Sequence, residues 1–111
     1  MESNSIQKTS SDLRAGKITS RELVERALQA SDRLNPILGT YLCRFDESAL
    51  DAADRADSEL QSGMDRGPLH GIPLGIKDII STDEGPTSAQ SLAQDPSWGD
   101  QGDGPLLQRL R

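Results

Sequence analysis

The side chain with most chemical promise is Lys77, whose amine sits in the most apolar run of the chain, Ile72-Pro73-Leu74-Gly75-Ile76-Lys77-Asp78-Ile79-Ile80. β-Branched residues in the run, Gly and Pro at its start and the turn formers Ser81-Thr82-Asp83 after it predict a short strand over residues 72–80. The two-residue repeat of a strand puts Leu74, Ile76 and Asp78 on one face and Gly75, Lys77 and Ile79 on the other. If both faces are covered, the Lys77 amine loses its water and its neutral form is favoured, which makes it a candidate base. The alternative is an edge strand whose lysine reaches solvent or pairs with a carboxylate such as Asp78.

Other reactive side chains offer less. His70 is the sole histidine and cannot make a catalytic or metal site alone; it is read as a structural residue bonding the loop before the strand. Cys43 is the sole cysteine, in the apolar stretch Gly39-Thr40-Tyr41-Leu42-Cys43-Arg44-Phe45, and without a nearby histidine it is read as a small hydrophobe. Glu47 and Asp51 have the spacing of a one-turn metal pair, but no histidine or third acid joins them, so they are read as solvated charges. Gly71-x-x-x-Gly75-x-Lys77 fails as a phosphate loop, which needs Gly-Lys followed by Ser or Thr at the mouth of a helix.

The run Gly67-Pro68-Leu69-His70-Gly71-Ile72-Pro73-Leu74-Gly75-Ile76-Lys77-Asp78 resembles the lysine segment of the amidase signature family. The resemblance implies that Lys77 is the base of a Ser-cisSer-Lys triad that hydrolyses an amide through an acyl-enzyme, with no cofactor and no metal. It assigns His70 no catalytic role. The two serines belong to a Gly- and Ser-rich segment that the family carries downstream, and no such segment occurs within these 111 residues. Ser81, Ser88, Ser91 and Ser97 stand in ordinary contexts, none in a Gly-x-Ser-x-Gly elbow. Gly85-Pro86-Thr87-Ser88-Ala89-Gln90-Ser91 is similar to the family's Thr-Thr-Ala-Gly-Ser segment, with Ser88 and Gln90 at two of its positions.

The elements that must position Lys77 begin with helices. Residues 5–15 form a modest one, with Ile6 and Leu13 on its apolar side and Gly16 to end it. Thr19 opens a capping box with Glu22, followed by the stripe Leu23, Val24, Ala27, Leu28 and Leu34 and by Asn35-Pro36 as a stop. Residues 39–45 suit a strand. Asp46 caps a third helix from about residue 47 to 62, which packs through Ala49, Leu50, Ala53, Ala56 and Leu60. Eight of the ten glycines and five of the six prolines lie from Gly63 onward, so residues 1–62 are mainly helical and 63–111 strand and loop. Residues 96–102 are irregular, with Trp98 as a loop anchor. Asp103 caps a last helix with Leu106, Leu107 and Leu110 on its apolar side. That helix meets no stop signal, which is the pattern of a chain cut short.

The expected fold class is therefore α/β: N-terminal helices plus the first strands of the amidase-signature mixed sheet, within residues 1–111 as the N-terminal part of one domain. Only 33% of the chain is apolar and 3% aromatic, a thin core for 111 residues. The net charge of −6 excludes the basic footprint of a nucleic-acid or anionic-membrane binder. No signal peptide or spanning run is recognisable, and one lone cysteine suits a reducing compartment, so a cytoplasmic location is expected. The expected partner is a small amide substrate of the complete enzyme, with a homodimer left open. Within the family the alternative is an amidotransferase subunit that works on charged tRNA. Outside it, the alternatives are a non-catalytic interaction module, favoured by the stripe of Leu106, Leu107 and Leu110, and an inert remnant with unpaired strand edges.

Overall fold

The computed structural model describes residues 5–95, 97–99 and 102–111. They group into two compact units, one ending at Pro73 and the other beginning at Leu74.

The first unit is built on three helices. In α1 (Ile6–Arg14), the Ser5 hydroxyl accepts from the Lys8 amide at 3.2 Å. Leu13 is buried, while Ile6, expected on the same side, is exposed. Arg14 fixes the helix end to the loop beyond α3: Nε and Nη2 grip the two Asp65 oxygens at 2.7 and 2.6 Å, and Nη2 also reaches the Gly67 carbonyl at 2.7 Å.

Helix α2 (Ser20–Leu38) opens with the expected capping box. The Glu22 amide donates to Thr19 Oγ1 at 3.1 Å and the Thr19 amide to Glu22 Oε2 at 2.8 Å. It runs two residues past the expected stop at Pro36 and ends at Gly39, which is left-handed with φ 58. A proline costs the helix one hydrogen bond, here at the carbonyl of Asp32, an exposed residue where water can replace it. Beyond the end, Asn35 clasps the returning chain: the Tyr41 amide donates to its Oδ1 at 2.8 Å and its Nδ2 donates to the Tyr41 carbonyl at 3.2 Å.

Helix α3 (Asp46–Gln61) packs on α2. The contact uses small residues on both sides: Ala53 and Ala56 of α3 are buried, as are Ser20, Val24 and Ser31 of α2. The buried line of α2 bypasses Ala27 and Leu34 of the expected stripe, which are exposed. Asp46 lies inside the first turn of α3 and makes no cap. Arg44 claims its carboxylate instead, with Nη2–Oδ2 at 2.6 Å, and also bonds Asp32 of α2. A charge-assisted fork outbids a backbone amide for the same oxygens.

Neither predicted strand forms. Residues 39–45 and 72–77 carry no regular secondary structure, and the β-content among the described residues is an isolated bridge between Thr82 and Gly85. A strand is stable only when its backbone groups are paired across a ladder, and neither run has a partner strand among the described residues. Cys43, expected to be buried in the first of them, is exposed.

The second unit is a set of interlocked turns ending in α4 (Pro105–Leu110). The Ser81 carbonyl accepts from the Gly104 amide at 3.0 Å, and the Ser81 hydroxyl donates to the Gly99 carbonyl at 2.6 Å and also reaches the Gly102 carbonyl. Leu107 is buried, whereas Leu106 and Leu110 of the expected stripe are exposed. Gly104, not Asp103, is the N-cap, with Pro105 at the first helical position. The Asp103 carboxylate is engaged by the Asp83 amide at 2.9 Å and by Arg111. Trp98 is 43% exposed, more than a loop anchor requires. The irregular stretch expected over residues 96–102 lies partly outside the described residues.

Candidate functional site

Gly71, in the segment that leads to Lys77, is held by the helices of the first unit. Its φ is +83, and a Cβ there would stand 3.4 Å from both Leu13 Cδ1 of α1 and Ser20 Cβ of α2. Ser20 Oγ donates to the Gly71 carbonyl at 2.7 Å. The same end of α2 receives a carboxylate from α3: Asp57 Oδ1 and Oδ2 accept from the Ser20 and Arg21 amides at 2.6 and 3.1 Å. A negative charge on the free amides of a helix N-terminus is favourable. Its position on an otherwise charged helix face gives Asp57 no sequence signal for this role.

His70 is structural, as expected. Nδ1 accepts from the Arg66 amide at 3.1 Å and Nε2 lies 2.9 Å from Glu59 Oε2, with the side chain 6% exposed. That pattern suits an imidazole carrying its proton on Nε2 and leaves no lone pair for metal or general-base work.

Lys77 itself is exposed. The desolvation expected from two covering layers is absent from this chain, because the strand that would lie between them does not form. Its backbone is nonetheless fixed: the Lys77 carbonyl accepts from the Ile79 and Ile80 amides at 2.8 and 3.0 Å, closing a turn over 77–80. The pairing with Asp78 that the sequence left open does not occur.

Asp78 turns to Ser88 instead. Oδ1 accepts from the Ser88 amide at 2.9 Å, Oδ2 accepts from the Ser88 hydroxyl, and the Asp78 carbonyl accepts from the Ala89 amide at 2.9 Å. The hydroxyl of Ser88, then its amide, hold the Asp78 carboxyl below the usual carboxylate range. A carboxylate so stabilised is a poor proton acceptor, so Ser88 has no competent base in this pair. Ser81 directs its hydroxyl at carbonyl oxygens, which cannot take the proton. Neither serine is arranged as a nucleophile.

A cleft of about 280 Å³ in the second unit is lined by Thr82, Asp83, Gly85, Pro86, Gly99 and Gly102. Lys77 is not part of its wall. Among the described residues no group of three or more His, Cys, Asp or Glu side chains could hold a metal ion, and no helix is long and apolar enough to cross a membrane.

The sequence model of the amidase family matches residues 22–111. A Mycobacterium tuberculosis protein named "Putative amidase AmiD" is 40% identical over 77 residues, 69% of this chain and 16% of that protein. A glutamyl-tRNA(Gln) amidotransferase subunit of Chloroflexus aurantiacus is 44% identical over 79 residues, 71% of this chain and 16% of that one. The corresponding subunit of Alkalilimnicola ehrlichii is 39% identical over 95 residues, 86% of this chain and 19% of that one. The chain thus spans about a sixth to a fifth of the length of these relatives. No solved structure gives a significant match.

Proposed function

The chain belongs to the amidase family, and from that premise we propose that it is the lysine-bearing N-terminal part of an amidase-signature hydrolase acting on carbon–nitrogen bonds, with Lys77 as the base. In the complete enzyme a segment outside these 111 residues supplies the two serines, and further strands cover Lys77 and complete a mixed sheet. The neutral Lys77 amine takes a proton from the bridging serine, which takes one from the nucleophilic serine as its oxygen attacks the amide carbon. The C–N bond breaks, the nitrogen leaves with a proton as ammonia or amine, and water hydrolyses the ester. The substrate is a small amide, and the site is cytoplasmic.

The observation that carries this reading is the match of residues 22–111, which includes the whole run from Gly67 to Asp78. Names among the relatives support a second reading within it, an amidotransferase subunit that passes the released ammonia to charged tRNA. Both use the same lysine chemistry and differ in where the ammonia goes.

A direct test is a chimera in which the 77 residues aligned with the Mycobacterium tuberculosis relative replace the matching segment of that protein, assayed for ammonia release from simple amides. The reading expects hydrolysis by the chimera and none above background by the 111-residue chain. Turnover by the short chain that survives Lys77→Ala would contradict it and point to another nucleophile and base.

A further inference from the structure

The turn at Ser88 has a conformation that its sequence does not favour. Ser91 donates its amide to the Ser88 carbonyl at 3.0 Å, and both central residues have positive φ, Ala89 at 48 and Gln90 at 51. That sign pattern belongs to type I′ turns, which Asn-Gly fills readily and Ala-Gln does not. A non-glycine residue held there is strained, because its Cβ crowds the neighbouring carbonyl oxygen. Such a conformation persists only where the surroundings over-determine it.

Here the surroundings are Asp78. Its carboxylate takes both the amide and the hydroxyl of Ser88, and its carbonyl takes the amide of Ala89. Ser88 Oγ then accepts from the Gln90 amide at 3.2 Å, which extends the network into the strained pair. Asp78 is also the first central residue of the turn closed on the Lys77 carbonyl. One residue thus ties two turns together, and the residue before it is the candidate base.

We propose that Asp78 and Ser88 are a positioning pair, which pins the strained 88–91 turn to the turn that begins at Lys77 and so fixes the backbone from which the lysine projects. The proposal rests on the reading of Lys77 as the base only for its catalytic consequence; the clamp itself is a property of this chain. Ser88 is neither nucleophile nor bridging hydroxyl in it, and Asp78 exchanges no proton with substrate.

Amide hydrogen exchange in the 111-residue chain tests the clamp. Asp78→Ala is expected to lower protection of the Ser88, Ala89 and Ser91 amides about tenfold while α2 and α3 amides keep theirs. Adding Gln90→Gly, which relieves the left-handed strain, is expected to restore much of the Ser91 protection that Asp78→Ala removes. Unchanged protection in Asp78→Ala, or no recovery in the double variant, overturns the clamp. In the chimera, Asp78→Ala is expected to lower kcat about tenfold with KM within twofold, and Asp78→Ala/Gln90→Gly to regain part of kcat. A change in KM alone, or none in either constant, while Lys77→Ala is inactive, overturns the positioning role and spares the assignment of Lys77. Full activity of Lys77→Ala overturns that assignment and leaves the exchange result standing.

Discussion

Arg14 shows how a single side chain can carry the geometry of a loop. Its guanidinium takes both oxygens of Asp65 and the carbonyl of Gly67, which has φ +119. The Asp65 carboxyl is held down to about 2, first by Arg14 and then by the Gly67 amide. Because the folded value lies below the ordinary 3.8, the stability Asp65 contributes is complete above that pH and is lost as pH falls through about 2. Side-chain NMR should show Asp65 titrating near pH 2 with the Gly67 amide shifting alongside; a midpoint near 3.8 would mean that the fork is not formed in solution. None of this is legible in the sequence, where Arg14 and Asp65 are two ordinary charges fifty-one positions apart. His70 was legible, because a lone histidine among Gly and Pro has few uses besides holding a loop. Lys77 was singled out by its motif, and the burial expected for it is not found, since the strand over residues 72–80 does not form and the side chain is exposed.

At the scale of elements, the N-terminus of α2 is the junction of the first unit. Its amides are served from inside by Thr19 and from α3 by Asp57, and its Ser20 hydroxyl holds Gly71. Thr19→Ala should cost about 1 kcal/mol in urea unfolding, as loss of an N-cap usually does. Asp57→Ala removes the acceptor of two amides at the same terminus and should cost about as much or more, with the double variant less than additive because both serve one helix end. Equal stability of Asp57→Ala and the unaltered chain would show that water replaces the carboxylate at no cost. The capping box was readable because both partners lie within four residues. The Asp57 cap was not, since it depends on how α3 lies against α2. The strand assignments failed for a related reason: local β-propensity in residues 39–45 and 72–80 states a preference, and only a pairing partner turns it into a ladder.

The molecule as a whole buries little. Among the described residues no large side chain is fully buried, and Ile37, Leu38, Leu42, Leu74, Ile76 and Ile79 are exposed. Three of these flank Lys77 in sequence, where a mixed sheet would need apolar faces to cover. The short chain should therefore be marginally stable and catalytically silent toward simple amides, and it should gain both stability and activity when the downstream segment of a relative is joined to it. The central claim, that the Lys77 amine is the proton acceptor of the amidase reaction, is tested most directly by kcat for amide hydrolysis in the active chimera before and after Lys77→Ala. The account predicts a loss of ~100-fold or more, the scale on which a positioned proton-transfer group acts. A loss of only a few fold would contradict it and reduce Lys77 to an exposed side chain beside a well-made turn.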